Sequence, residues 1–262
     1  MSILLIEFLP QGIIFGADRN ITHCIEKFGT TKVEVHGQTQ ERKVLRWPNR
    51  KALIGYVGAA EIGGISTAEW LYDFVGDHLN FDSLESLATS LCSKVQTQRF
   101  LDEKGASPEL LNLHIAGFEE REQTVIPILY HIRNYYDFQS GQYCDVRKEF
   151  ISTQYPWECP PSKLKAALAA AAQNYQPLWV HQGEDLGTFN TLEEFLRLGF
   201  GVLCRSGHEE HRFPQTLQDW ERQIRMAILT YAAYFQSYKG PGEQYVGGGV
   251  DTVSLEWPDN SS

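Results

Sequence analysis

Cysteine is sparse in this sequence, and none of its cysteines stands near another. The five residues form no Cys-x-x-Cys pair; they are Cys24, Cys92, Cys144, Cys159 and Cys204. An odd, scattered set argues against a disulfide framework and against a zinc ribbon. We therefore expect the chain to work in a reducing cytoplasm.

Long hydrophobic runs and an excess of positive charge are also absent. No apolar run approaches the roughly 20 residues of a membrane span, and no basic residue precedes Arg19 to begin a secretory signal. The formal net charge of −10 argues against non-specific binding to nucleic acid or to an anionic membrane. We expect neither as a partner.

The composition is that of one sizeable folded domain. Hydrophobic residues make up 42% of the 262 residues, which suffices for one core at this length. We expect a single domain over residues 1–262, with residues 258–262 as a loose tail. The sequence shows no internal repeat and no long linker.

The order of patterns along the chain predicts an α+β protein. Strand-like runs come first, then two amphipathic helices, the first opened by a capping box of Ser66 and Glu69. Further strands and helices follow, and the longest helix is expected after Pro214. Residues 23–42 are expected to be irregular apart from a short strand at 31–36, and residues 134–160 give no clear prediction.

The first eighteen residues predict a buried β-hairpin. Two apolar runs flank Pro10 and Gly12, and both residues favour a turn. Because the runs are nearly continuous rather than alternating, we expect both faces of each strand to be covered. A strand that begins at residue 2 is unusual, since chain termini normally fray.

Ser2 could use such an anchored terminus for catalysis. A serine hydroxyl is a weak nucleophile and needs a base nearby. If Met1 is removed, the α-amino group of Ser2 itself can be that base, because the pKa of such a group is about 7.7–8.0. The alternative is that Ser2 only begins a strand.

Several segments, taken in order, resemble the proteasome β-type subunits, including their bacterial, ancestral-type members. Residues 16–22 resemble the Ala-Asp segment that follows the family's first hairpin, and Ser2 falls on the nucleophile position by direct count. The resemblance covers roughly residues 2–118 and 214–257. Its other segments are residues 43–47, 52–60 and 246–255.

This resemblance implies the four-layer αββα sandwich of N-terminal-nucleophile hydrolases and a cofactor-free peptidase. Ser2 would be the nucleophile, Lys43 would lie beside it, and Asp18 would hold Lys43 in place. The Gly58 N–H would face the oxyanion, and Thr22 would hold the substrate backbone. The resemblance also implies a homo-oligomer, as a ring or spiral, acting on a peptide or protein.

Some alternatives stay open at the level of sequence. Lys32 competes with Lys43 for the same role, and we favour Lys43 because its distance to Gly58 matches the family spacing. The nucleophile is Ser where most family members have Thr, and Arg19 replaces the family's serine. The chain could therefore be a non-catalytic scaffold or assembly subunit, or a small-molecule amidase with the same fold.

One further cluster, His208 to His211, could bind a metal ion through its histidines and glutamates. Its spacing is not that of a His-Glu-x-x-His site, and Gly207 and Pro214 indicate a loop. We therefore expect a solvated polar loop, no metal and no cofactor. Gly247, Gly248 and Gly249 precede a strand rather than a helix, which argues against a phosphate-binding loop.

Overall fold

The computed structural model describes residues 3–26, 33–49, 51–102, 109–136, 145–174, 178–183, 214–239 and 247–258, together with residues 194, 196, 198, 199, 201 and 202. Its strands are β1 (Ile3–Leu9), β2 (Gly12–Asp18), β3 (Asn20–Glu26), β4 (Val33–Gln40), β5 (Val44–Arg46), β6 (Ala52–Gly58), β7 (Glu61–Ile62), β8 (Ile65–Ser66), β9 (Leu111–Arg121), β10 (Thr124–Tyr136), β11 (Asp145–Gln154), β12 (Leu178–Gly183) and β13 (Val250–Glu256). Its longer helices are α1 (Thr67–Asp77), α2 (Leu84–Asp102), α3 (Pro161–Gln173) and α4 (Leu217–Lys239).

Two larger antiparallel sheets organise the described residues. The first sheet has the strand order β12-β1-β2-β13, and the second has the order β11-β10-β9-β6-β5. Strands β3 and β4 form a two-stranded sheet, as do β7 and β8. The mixed class of helices and strands predicted from the sequence is confirmed.

The predicted hairpin opens the first sheet. Strands β1 and β2 pair from Leu4 opposite Ala17 to Leu9 opposite Gly12. Every residue of both strands is buried, as the continuous apolar runs predicted. A side chain at Gly12 would collide with the Leu255 carbonyl oxygen of β13, so glycine lets the turn end directly against the neighbouring strand.

Alternate residues of β1 face two different hydrophobic cores. Leu4, Ile6 and Phe8 belong to the larger core, which they share with the second sheet, α1, α2 and α3. Ile3, Leu5 and Leu9 belong to a smaller core with residues of α4. Helix α4 packs so closely that a Cβ at Gly16 would lie 2.2 Å from Ile224.

The helix starts follow the capping signals. The Ser66 hydroxyl accepts a hydrogen bond from the Glu69 N–H at 3.1 Å and so caps α1. Thr216 caps α4 by accepting from the Asp219 N–H at 3.2 Å, while the Asp219 carboxylate accepts from the Thr216 N–H at 3.1 Å. None of the helices in the described ranges is long and apolar enough to cross a membrane.

The stretch after the first hairpin is more regular than its composition predicts. Strands β3 and β4 pair along most of residues 20–40, with a register shift between His23 and Cys24. The prediction of an irregular stretch was wrong here, because regular pairing satisfies backbone groups even where side chains are polar. Of the predicted loose tail, only Pro258 lies among the described residues.

Candidate active site

Asp18 is the centre of a buried hydrogen-bond cluster at the end of β2. Its Oδ1 atom accepts from the Lys43 Nζ at 2.9 Å and from the Ile3 N–H at 2.9 Å. Its Oδ2 atom accepts from the Gly247 N–H at 3.4 Å. One carboxylate therefore joins Lys43, the first residue of β1 and the segment that precedes β13.

Lys43 reaches this carboxylate from the residue before β5. Its side chain is wholly buried, and Nζ also donates to the Asn20 carbonyl oxygen. Its own carbonyl oxygen accepts from the Tyr56 N–H at 3.1 Å, which fixes the Lys43 backbone to β6. The resemblance implied that Asp18 holds Lys43, and the structure brings the two side chains together.

Burial governs the protonation of this pair. Burial raises the pKa of the Asp18 carboxyl, and the nearby Lys43 ammonium opposes that change. Burial lowers the pKa of the Lys43 ammonium, and the charges of Asp18 and Glu41 oppose that change. Both shifts favour the neutral forms, so Lys43 gives up its proton more readily than an exposed lysine does.

Tyr56 and Glu41 extend the cluster, and sequence reasoning missed both. Tyr56 is buried in β6, two residues before Gly58. Burial, followed by the Glu41 and Asp18 charges, raises the pKa of Tyr56, so the phenol keeps its proton. No local pattern identifies Tyr56, because it comes near Lys43 only when β5 pairs with β6. Glu41 is two residues before Lys43 in the sequence, and nothing in that spacing indicates a role in a site.

Gly58 ends β6 with a backbone that only glycine adopts easily. Its φ is +109°, and a Cβ built there would lie 2.1 Å from the Leu110 carbonyl oxygen. Gly58 stands opposite Leu111 in the β6–β9 register. Both the conformation and the lack of space for a Cβ therefore favour glycine at this position.

The three glycines before β13 pack on the chain that leaves β2, which sequence reasoning also missed. The Arg19 N–H lies 3.2 Å from the Gly247 carbonyl oxygen and 3.1 Å from that of Gly249. A Cβ at Gly248 would lie 2.1 Å from Asn20 Oδ1. All three glycines have a positive φ, which favours glycine at these positions, and the triplet itself was the available signal.

Arg19, which follows β2 directly, connects the end of β2 to β13. Its Nε donates to Asp251 Oδ2 at 2.9 Å, and a second nitrogen, Nη2, pairs with Asp251 Oδ1. The Arg42 Nε lies 3.8 Å from Asp251 Oδ2. This bidentate contact ties the residue after Asp18 to β13.

The remaining predicted residues are only partly placed. Thr22 lies in β3 opposite Gln38. Ser2, Lys32, His208 and His211 lie outside the described residues. Within the described ranges, no group of three or more His, Cys, Asp or Glu side chains could hold a metal ion.

Two solved structures among those that match resemble this chain over most of its length. One is Anbu (ancestral beta-subunit) from Yersinia bercovieri, at 13% identity and a TM-score of 0.45, covering 97% of this chain and 81% of that one. The other is an Anbu (Gly-1) mutant from Hyphomicrobium sp. strain MC1, at 14% identity and a TM-score of 0.47, covering 98% of this chain and 82% of that one. No protein-family model and no curated protein matches the chain.

These comparisons correct the family suggested by the sequence motifs. The assignment to the proteasome β-type subunits was wrong, because the matched structures above are Anbu proteins and no family model supports the assignment. The likeness to Anbu is too distant to carry an argument about activity or assembly.

Proposed function

We propose that this chain is a hydrolase of peptide or amide bonds whose nucleophile is Ser2 after removal of Met1. One observation carries the proposal. The Ile3 N–H and the Lys43 Nζ both donate to the same oxygen of Asp18, each at 2.9 Å. A wholly buried lysine–carboxylate pair thus lies one residue from Ser2, at the anchored end of β1.

The reaction begins when the Ser2 hydroxyl oxygen attacks the substrate carbonyl carbon. The hydroxyl proton passes to the Ser2 amine, directly or through water, and then to the nitrogen of the leaving amine as the amide bond breaks. The product of this step is an ester of Ser2. Water then attacks the ester, and the same amine accepts and returns the proton.

Lys43 supports this proton transfer in two ways. While protonated, it favours the neutral amine on Ser2 by charge repulsion, which keeps that amine able to act as a base. Because burial lowers the pKa of Lys43, it can also give up its proton more easily than an exposed lysine can. Asp18 fixes its position, and the Asn20 carbonyl oxygen accepts a second hydrogen bond.

Gly58 would supply a backbone N–H to the oxyanion. A fixed donor at such a position typically contributes about 2.7–4 kcal/mol to transition-state stabilisation. The position of Gly58 as the last residue of β6 supports this role, because the regular strand ends there, and the positive φ lets the chain change direction directly after the N–H. Thr22, at the start of the β3–β4 hairpin, would pair with the substrate backbone.

We also propose a layer arrangement, a location and an assembly for this chain. Helix α4 covers one face of the first sheet, and α1 and α2 contact the second sheet, which supports a four-layer αββα sandwich. We propose one domain, a cytoplasmic location suggested by the cysteine pattern, and assembly of identical subunits. Light scattering on the purified chain tests the assembly, and a monomer would contradict it.

The first experiment is the intact mass of untagged protein with and without a β-lactone, which acylates N-terminal nucleophiles. We expect a mass short by one methionine and a single adduct on Ser2. Ser2→Ala should take no adduct, whereas Ser2→Thr, which keeps a hydroxyl next to the amine, should still take one.

The outcomes separate the candidate functions. Retained Met1 with no adduct would remove the free amine and leave the scaffold interpretation. An adduct on Ser2→Ala would contradict the nucleophile assignment. If Ser2 is acylated, turnover of peptide pools against simple amides then distinguishes a peptidase from a small-molecule amidase.

A further inference from the structure

The backbone on the C-terminal side of Gly58 is held by one buried threonine. The Ala59 N–H donates to the Leu110 carbonyl oxygen at 2.7 Å. The hydroxyl of Thr67 donates to the Ala59 carbonyl oxygen at 2.7 Å, and the Thr67 N–H donates to that of Ala60 at 2.8 Å. Thr67 is wholly buried, so water does not compete for these bonds.

The opposing strand segment is held by one buried asparagine. Asn134 Oδ1 accepts from the Leu111 N–H at 2.9 Å, and its Nδ2 donates to the carbonyl oxygens of Glu109 and Arg147 at 2.8 and 3.1 Å. The side chain is 1% exposed. It therefore fixes the residues on both sides of Leu110, whose carbonyl oxygen lies against Gly58.

Arg99 lies in α2 and bonds to both of these segments. Its Nη1 donates to the Glu61 carbonyl oxygen at 3.3 Å and its Nη2 to that of Glu109 at 3.4 Å. Arg99 is 5% exposed. A buried guanidinium is costly unless it is well bonded. Here it bonds the main chain that follows Gly58 and the main chain that leads into the opposing strand, β9.

We propose that Thr67, Arg99 and Asn134, named here the turn clamp, are positioning residues that hold the chain directly after Gly58 and the segment opposite it, and thereby fix the direction of the Gly58 N–H. This inference rests on the proposed function, in which the Gly58 N–H faces the oxyanion. A glycine with positive φ could otherwise rotate its peptide at little cost. The clamp holds the donor in place before reaction, which is the condition for effective oxyanion stabilisation.

The test compares Thr67→Val with Thr67→Ser by the rate of β-lactone acylation of Ser2. Valine keeps the shape and removes the hydroxyl, whereas serine keeps the hydroxyl. We expect Thr67→Val to lower the maximal acylation rate by roughly tenfold to a hundredfold, the size of a small misplacement, with little change in the half-saturating concentration. Thr67→Ser should keep most of the wild-type acylation rate.

Two measurements separate this role from simple loss of stability. Ile126→Val trims the far end of β10, away from Asn134, and should lower the melting temperature without changing the acylation rate. Hydrogen exchange at the Ala59 amide should speed up in Thr67→Val and not in Thr67→Ser. Asn134→Asp, which keeps the acceptor but loses both donors, should lower the acylation rate in the same way.

Equal acylation rates in Thr67→Val and the wild type would overturn the clamp's role, as would a slow Thr67→Ser variant. A wild-type protein that takes no β-lactone would instead refute the proposed function and the catalytic consequence with it. In that case, unchanged Ala59 exchange in Thr67→Val would also refute the clamp itself.

Discussion

In the part of the chain that the structure describes, one pair of titratable side chains is wholly buried and another is largely buried, and the two are built differently. Asp18 and Lys43 have opposite charges and meet at 2.9 Å. His114 and His131 are alike, stand opposite each other on β9 and β10, and meet through their Nδ1 atoms at 2.9 Å. In the histidine pair one nitrogen must donate and the other accept, so the contact requires at least one neutral ring.

The partners outside each pair differ even more. Asp18 and Lys43 bond the backbone of Ile3, Asn20 and Gly247, which come from three distant segments. Among the residues that the structure describes, the Nε2 atom of His114 has no hydrogen-bond partner. The first pair connects distant parts of the chain and can exchange a proton, whereas the second keeps its hydrogen bond only while at least one of the two rings is neutral.

Of the changes to these two pairs, Lys43→Ala should have the largest effect on stability. Removing the lysine leaves the Asp18 carboxylate buried without its counter-charge, which typically costs about 3–5 kcal/mol. We expect that loss in the free energy of unfolding measured with denaturant, together with loss of β-lactone acylation at Ser2.

Lys51→Ala is the matched control for Lys43→Ala, because Lys51 is exposed at the start of β6. It should change neither stability nor acylation measurably. The double variant Lys43→Met with Asp18→Asn should regain part of the stability but not the acylation. Full acylation in Lys43→Ala would contradict the role given to this lysine.

The histidine pair should make the protein sensitive to acid. Burial, then the charge of Arg133, lowers the pKa of His131 to about 4, and burial lowers the pKa of His114 as well. Unfolded histidine binds a proton near pH 6.5, so the unfolded state gains protons first as the pH falls. The free energy of unfolding should drop by about 3 kcal/mol between pH 6.5 and 4 from His131 alone.

This pH dependence is measured by denaturant titrations of wild type and His131→Asn. Asparagine can still bond the Nδ1 atom of His114 but does not titrate. The free energy of unfolding of His131→Asn should therefore depend less steeply on pH below pH 6.5 than that of the wild type. Above pH 6.5 the two curves should run parallel. Parallel curves over the whole range would show that His131 is not the group responsible.

A smaller effect should reveal the coupling between the two histidines. His131→Leu leaves the Nδ1 atom of His114 buried without its partner, which typically costs about 1–3 kcal/mol. Adding His114→Leu removes that unpaired group, so the double variant should lose less stability than the sum of the single variants. Strict additivity would mean that the imidazole contact contributes nothing.

The smallest effect concerns salt. Because both side chains of the Asp18–Lys43 pair are wholly buried, ions should not screen it as they screen surface charges. The stability cost of Lys43→Ala should therefore agree within about 0.5 kcal/mol between about 0.1 M and 1 M NaCl. A cost that falls steeply with salt would place the pair in contact with solvent.

Local chemistry made part of this structure predictable. The turn residues Pro10 and Gly12 and the cap Ser66 act on backbone groups within a few positions, so the first hairpin and the start of α1 could be predicted from the sequence. Asp18 and Lys43 were selected by spacing and resemblance, and the structure joins them.

Other features depend on contacts between distant segments. The bond from Gly247 to Asp18 spans 229 residues, and nothing near either position indicates it. The same is true of Tyr56 beside Glu41 and of Arg99 on the Gly58 turn, since pairing of the strands and packing of α2 create those contacts. The strand β11 lies in residues whose composition gave no periodic signal, so it was not predicted.

The position of β1 inside the first sheet has a consequence for synthesis of the chain. This strand emerges from the ribosome before its neighbours, yet it pairs with β12, and β2 pairs with β13. The first sheet can close only after nearly all of the described chain has been translated. Until then, two strands that are apolar except for Glu7 and Asp18 lack their neighbours, and nascent chains of this protein should depend on chaperones that hold such strands apart.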